Sequence, residues 1–377
     1  MRVRQFGRLP FRRGPAVLIA NHQHEDESEI VVQRAFVQGP WRQLFTASSR
    51  RMYEPGFFAV RMPWLAPVMR GVNAGPLFMT LGMLPLENEL SSRPLRSLAL
   101  EVRAKHGDLP VALVFRPEAL AALGDASARP ATLDELLEPA FFLPGETRVK
   151  LAHVLEPYRR ELIDALRATV DADIARIVGA VRAGVTFFVT PEGFYSADGT
   201  MRPLKGIVDH LVAVATPWLA AIAFDPFRGR RLSLLYRVLQ PYDPHDLATS
   251  LAAARPVTTS ALLAQWLLAV DLPFERAEAR DGVRRLRDDL PPGAFVDPEL
   301  RRDPDACVDE ALDVLSDGGT LVYEGGRYAL GERRGDPRFP GVADMIAFQH
   351  AFLGETVAAL QRLARGDRAG GEPVSEP

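Results

Sequence analysis

Short unbroken apolar runs alternate along this chain with segments whose apolar residues recur every three or four positions. The first run, Ala16 to Ala20, follows the turn signal Arg13-Gly14-Pro15. Gly82 to Leu86, Val111 to Phe115, Val185 to Val189, Trp218 to Phe224 and Arg231 to Val238 read in the same way, as strands. Helical spacing marks Ile30 to Phe36, Arg93 to Lys105, Thr132 to Leu137, Arg159 to Arg182 and Ile207 to Val214. Strands interleaved with helices predict an α/β fold with a mixed, mainly parallel sheet flanked by helices. From about Pro244 the pattern turns helical, over Leu262 to Val270, Asp281 to Leu290, Asp305 to Leu315 and Phe348 to Leu363. A small hairpin, Leu321 to Tyr323 with Arg327 to Leu330, breaks this helical extension.

The expected organisation is an α/β domain over 1–245 with an insertion at about 106–155. A mainly helical region with the hairpin follows over 246–365, then a disordered tail over 366–377. The helix and hairpin from Asp309 to Leu330 have the outline of a small winged helix, but the segment lacks a basic stripe, so no nucleic-acid partner is expected.

Composition narrows the classes. Of 377 residues, 47% are apolar and 25% charged, with 45 Lys plus Arg against 48 Asp plus Glu. That is an ordinary globular balance, neither disordered nor strongly basic. One cysteine, Cys307, cannot close an internal disulfide. No run of about 18 apolar residues predicts a membrane span. The stretch from Pro55 to Leu86 is apolar but broken by Arg61, Arg70, Asn73 and several Pro and Gly. Its Phe57, Phe58, Met62, Trp64, Leu65, Val68, Met69, Leu77, Phe78 and Met79 suit either an acyl groove that dips into a bilayer surface or plain core. The first 13 residues carry five arginines and no acid, which suits an anionic leaflet or a frayed solvated end.

Chemistry concentrates at the ends of two apolar runs. After the first comes Asn21-His22-Gln23-His24-Glu25-Asp26-Glu27. One reading makes His22 a general base, with the Glu27 carboxylate fixing its tautomer and stabilising the imidazolium. A second takes His22, His24 and Asp26 as metal ligands of a hydrolase, but no other histidine sits in a ligand context. A third is a solvated polar loop. After Val185 to Val189 comes Thr190-Pro191-Glu192-Gly193-Phe194-Tyr195-Ser196, then Leu204-Lys205-Gly206. A carboxylate and a glycine there occupy the position where open α/β sheets hold ligands, and Gly193 permits close backbone approach. Pro-Glu-Gly is also a common turn.

Together these segments resemble the glycerolipid acyltransferase family over roughly residues 14 to 240. Asn21, His22 and Glu27 match its N-H-x4-D block, with Glu for Asp and Asp26 in reserve. Gly82, Leu84 and Leu86 loosely match its glycine-led strand. Pro191, Glu192, Gly193 and Ser196 match its F-P-E-G-T-R-S block, with Lys205-Gly206 downstream. Thr216-Pro217-Trp218 to Ala223 matches its closing apolar strand. Asn88 and Tyr195 stand where the family has phosphate-gripping arginines, and Arg93, Arg96 or Lys205 are the possible replacements.

The resemblance implies the acyltransferase fold and direct acyl transfer from acyl-CoA or acyl-carrier protein to a lipid hydroxyl, with no other cofactor and no metal. The acceptor class it implies is a lysophospholipid, a glycerol phosphate or a related lipid. His22 is the implied base, held by Glu27. Asn21, Glu192, Gly193, Ser196, Lys205 and Arg93 are the implied substrate-binding residues. The implied partners are the lipid acceptor, the acyl thioester and a membrane surface, with acyl-carrier protein as a possible donor, and the implied location is cytoplasmic, peripherally associated with the inner face of the membrane. The two missing arginines raise an alternative: a lipid-binding or regulatory protein on the same fold with altered catalysis.

Overall fold

The computed structural model describes residues 1–10, 14–24, 44–87, 91–121, 123–124, 129–193 and 195–366. The chain packs as two units, Met1–Leu44 with Val181–Pro377, and Phe45–Ala180. In chain order the strands are β1 (Arg2–Phe6), β2 (Ala16–Ala20), β3 (Leu44–Ser49), β4 (Met83–Leu86), β5 (Ser92–Pro94), β6 (Arg148–Lys150), β7 (Thr186–Val189), β8 (Thr216–Asp225), β9 (Ser233–Leu239), β10 (Leu321–Glu324) and β11 (Arg327–Leu330).

In the first unit the sheet order is β1-β9-β8-β2-β7. β2 runs parallel to both neighbours, β7 and β8, and β1 is parallel to β9; only the β8–β9 pair is antiparallel. This is an α/β fold with a mainly parallel, mixed sheet flanked by helices. β2 is fully buried at every position, and β7 is buried throughout. Strands covered on both faces read as continuous apolar runs, which is why these two stand out in the sequence. One face of the sheet, through Leu18, Phe188, Ala220, Ile222, Leu234 and Tyr236, shares a core with the helices of the C-terminal third. Those helices are capped by the chemistry expected of their first residues: Asp246, Thr258, Asp303 and Asp344 each accept an amide of the first turn.

The second unit holds the parallel pair β3–β4 and the antiparallel pair β5–β6. Its core gathers Leu95, Leu98 and Val102 of the helix Leu95–His106 with Val111, Val114, Phe115, Leu162 and Leu166. A cavity of about 290 Å³ opens beside it, walled by Val102, Leu162 and Leu166 and rimmed by charges. On that rim Arg93 pairs with Glu101 and Lys105 with Glu161, both at 2.6 Å.

Several expectations are corrected. Val111 to Phe115 is not a strand: Val111–Val114 is a helical turn. Val111, Val114 and Phe115 are buried while Ala112 and Leu113 are exposed, the i, i+3, i+4 spacing of a helix. Five apolar residues in a row are too few for the two periods to be told apart. The basic start is not frayed over residues 2–6. It forms β1, where Arg4 grips the Asp297 carboxylate through both Nη atoms at 2.7 and 2.6 Å, and Arg2 pairs with Glu299. The helix Leu247–Ala254 was not expected from the pattern. The predicted helix at Ile30 to Phe36 and the tail beyond Gly366 lie outside the described residues. Among those described, no helix is long and apolar enough to cross a membrane.

Candidate active site

β2 and β7 are adjacent and parallel, so their carboxyl ends lie on the same edge of the sheet. Open α/β sheets hold ligands at this edge. His22 leaves the end of β2 and Glu192 the end of β7. The two blocks meet through a hydrogen bond: the His22 amide donates to Glu192 Oε1 at 2.7 Å. Glu192 Oε2 accepts the Arg202 amide at 2.8 Å. The Glu192 side chain therefore ties the turn after β2 to the loop after β7. It is only 4% exposed, so both acceptor oxygens are satisfied by fixed backbone donors away from water.

Asn21 does a related job one residue earlier. Its amide donates to the Ile222 carbonyl at 3.0 Å and accepts the Ile222 N–H at 2.7 Å. The register pairs Ala20 with Ala220, so the Asn21 side chain carries the β2–β8 ladder one step past its last backbone rung. Asn21 is buried, and its side chain holds the start of the His22 turn in place.

Gly193 has φ +78°, a left-handed conformation that glycine tolerates. A Cβ there would collide with the end of the Lys205 side chain. The glycine thus makes room for the Lys205 ammonium over the Pro191-Glu192-Gly193 corner. The Lys205 backbone is fixed to the same corner, its N–H donating to the Pro191 carbonyl at 3.1 Å. The His22 imidazole is partly buried and meets Tyr195 edge to face, ring centroids 5.9 Å apart.

Ser196 is buried inside its own loop. Its hydroxyl donates to Asp198 Oδ1 at 2.6 Å and accepts the Asp198 and Gly199 amides. The Ser196 hydroxyl bond, with two more from Thr200, holds the Asp198 carboxyl at a pKa of about 2. Arg93 lies in the second unit, buried, and paired there with Glu101. Asp26, Glu27 and Asn88 lie outside the described residues.

His24 turns to a different set of partners. Its Nε2 donates to the Arg338 carbonyl at 2.7 Å, and its ring packs against Phe224 and Phe339. Gln23, His24, Tyr195, Phe339, Pro340 and Val342 line a cavity of about 10 Å³ beside it, room for about one water. Among the described residues no three His, Cys, Asp or Glu side chains gather as a metal-binding set.

Sequence reading brings His22, Glu192 and Gly193 to one place because each belongs to a short block at a strand end, with Lys205 in the element downstream. It misses the backbone of Arg202 and the side chain of Asp198. The only signal for the latter is the Ser196-Ala197-Asp198-Gly199 string, a turn-forming composition. The chain matches no protein-family model and no curated protein.

Proposed function

We propose that this protein is an O-acyltransferase that moves a fatty acyl group from a thioester to the hydroxyl of a lipid acceptor. The observation that supports this most directly is the 2.7 Å bond from the His22 amide to Glu192. It joins the two blocks that carry the family resemblance at the ligand-binding edge of an α/β sheet, with a lysine ammonium over the same corner.

In this reading the His22 imidazole takes the proton of the acceptor hydroxyl as its oxygen attacks the thioester carbonyl. The negative charge that develops on the carbonyl oxygen is met by the Lys205 ammonium and by N–H groups at the Gly193 turn. The tetrahedral carbon then expels the thiolate, which takes the proton back from the imidazolium. No acyl-enzyme forms, and the thioester carrier is acyl-CoA or acyl-carrier protein. Glu27 is the acid assigned to hold the imidazole. Glu192 is a positioning residue, because both of its oxygens are committed to backbone amides.

A bilayer surface is the partner this reading calls for. The second unit supports it: Trp64, Val68, Val72, Leu77, Met79 and Leu81 are exposed within 18 residues that include Arg70 and no acid.

The test is thiol release from acyl-CoA against a panel of lipid hydroxyl acceptors, wild type beside His22→Ala. Release that falls to background in the variant, with the fold retained, is the expected result. Turnover unchanged in His22→Ala sinks the proposal. Tyr195 favours a second reading, a lipid-binding protein with altered catalysis, because an aromatic ring against His22 replaces a phosphate-gripping arginine. That reading predicts lipid retention by the wild type with no thiol released.

A further inference from the structure

Among the described residues of the C-terminal third, one cation is fully buried. Arg255 is 1% exposed, at the end of the helix Leu247–Ala254, where Pro256 forces the extended backbone that stops the helix. Burying a guanidinium is costly unless it is fully paired. Its Nε donates to the Ala252 carbonyl of its own helix at 3.4 Å, and its other partners come from one face of the helix Met345–Arg365. Nη2 donates to Glu355 Oε2 at 2.7 Å and to the Phe352 carbonyl at 3.2 Å. Nε donates to Thr356 Oγ1 at 3.1 Å, and the guanidinium lies 4.1 Å from the centroid of the Phe352 ring. Residues 352, 355 and 356 are spaced i, i+3, i+4, so a single helix face presents all three.

Glu355 has a second task. Its carboxylate accepts the Met201 amide, at 3.2 Å to Oε1 and 3.0 Å to Oε2. The next amide along, that of Arg202, is the one Glu192 holds. Two consecutive backbone N–H groups are therefore clamped by two different carboxylates. A continuous line of contacts runs from Arg255 through Glu355, the Met201-Arg202 peptide and Glu192 to the backbone of His22. The same loop is seated by Gly199, whose φ is +86° and where a Cβ would collide with the Phe348 carbonyl of the same helix.

We infer that Arg255 and Glu355 are positioning residues of the active site, acting through the Met201-Arg202 peptide to hold Glu192 and the His22 turn in register. This rests on the acyltransferase reading for its catalytic consequence, though not for the hydrogen-bond line itself. On this view the last helix is part of the catalytic scaffold as well as a cover for the sheet. Carboxylate orientation at Glu192 depends on a residue 163 positions away in the sequence.

The experiment compares wild type with Glu355→Gln, Arg255→Lys and a control, Leu312→Ala. Leu312 is fully buried in the same C-terminal layer but is not part of the line. Each protein is assayed for thermal midpoint, for kcat and KM in acyl-CoA thiol release, and for amide exchange at Met201, Arg202 and His22. Displacement of a reacting group by about 1 Å can cost about 100-fold in rate. Glu355→Gln is therefore expected to lower kcat by about 10- to 100-fold at little change in KM, and to speed exchange at the three amides. Leu312→Ala should lower the midpoint at least as much and leave kcat and those amides within about twofold. Arg255→Lys, which keeps the charge, should lower kcat less than Glu355→Gln does. Variants that lose midpoint in proportion to Leu312→Ala, with kcat and the three amides unmoved, overturn the inference. A wild type that releases no thiol rejects the acyltransferase reading instead. The exchange measurement then decides on the hydrogen-bond line alone: slow exchange preserved in Glu355→Gln overturns it.

Discussion

Asp198 takes a hydrogen bond from the Ser196 hydroxyl, and both the amide and the hydroxyl of Thr200 donate to it as well. All of these favour the charged carboxylate, and its pKa falls to about 2 from an ordinary 3.8. The sign of the linkage follows. A depressed carboxyl pKa stabilises the folded loop above the unfolded value, and this support is lost as pH falls from about 4 towards 2. Ser196→Ala removes the largest contribution. We expect a carboxyl-carbon NMR titration to show Asp198 moving from about 2 towards its ordinary value in that variant. An unshifted titration would mean that Ser196 does not organise the loop. At this scale the sequence is legible where chemistry and turn-forming residues coincide, as at His22, Glu192 and Gly193. It is silent on Arg255 and Glu355. Lone charges in helical stretches carry no motif, and only packing shows that a buried arginine meets a half-buried glutamate.

Among elements, the three short helices Phe57–Arg61, Ala66–Met69 and Gly75–Thr80 divide an apolar stretch into inside and outside. Phe57, Phe58 and Phe78 pack on one another, with ring centroids 5.6 to 6.1 Å apart. Trp64, at 77% exposure, and Val68, at 72%, face water. Prolines at 63, 67 and 76 keep each helix short, so no single amphipathic period runs through the segment, and its outward face was not readable in advance. An exposed tryptophan beside arginines, with no acid between Glu54 and Glu87, suits an anionic bilayer interface. We expect Trp64→Glu to lower co-sedimentation with phosphatidylglycerol vesicles severalfold, while binding to neutral vesicles is weak for both proteins. Equal binding of wild type and variant would remove this face from consideration. Strand β1 is the converse case. Its Arg2-Val3-Arg4 start reads as leaflet-facing or solvated, and the carboxylates that hold its arginines are almost 300 residues away.

For the whole molecule, the ion pairs of β1 differ in depth. Asp297 is fully buried, and its carboxylate also accepts the Glu299 amide at the start of a helix. Glu299 pairs with an Arg2 that is 55% exposed at its side chain. Removing one partner of a buried pair strands the other, at about 3–5 kcal/mol, whereas an exposed pair is worth about 0–1 kcal/mol. Arg4→Met should therefore destabilise the first unit far more than Arg2→Met, as read from the urea midpoint of that unit's transition. Equal midpoints would show that β1 is not held through Asp297. Fold class was legible because it follows from strands alternating with helices. The partition into two units was not, because the chain leaves the first unit after Leu44 and re-enters it at Val181, within the helix Tyr158–Arg182.

That interrupted path has a temporal consequence. Arg2 of β1 pairs with Ser233 of β9, 231 positions later. At a synthesis rate of about 5–20 residues per second, β1 leaves the ribosome about 10–50 s before β9 exists. The segment between Phe45 and Ala180 is complete well before then. During translation, the segment that carries β1 and His22 must wait without its sheet neighbours until the distant half of its own sheet has been made.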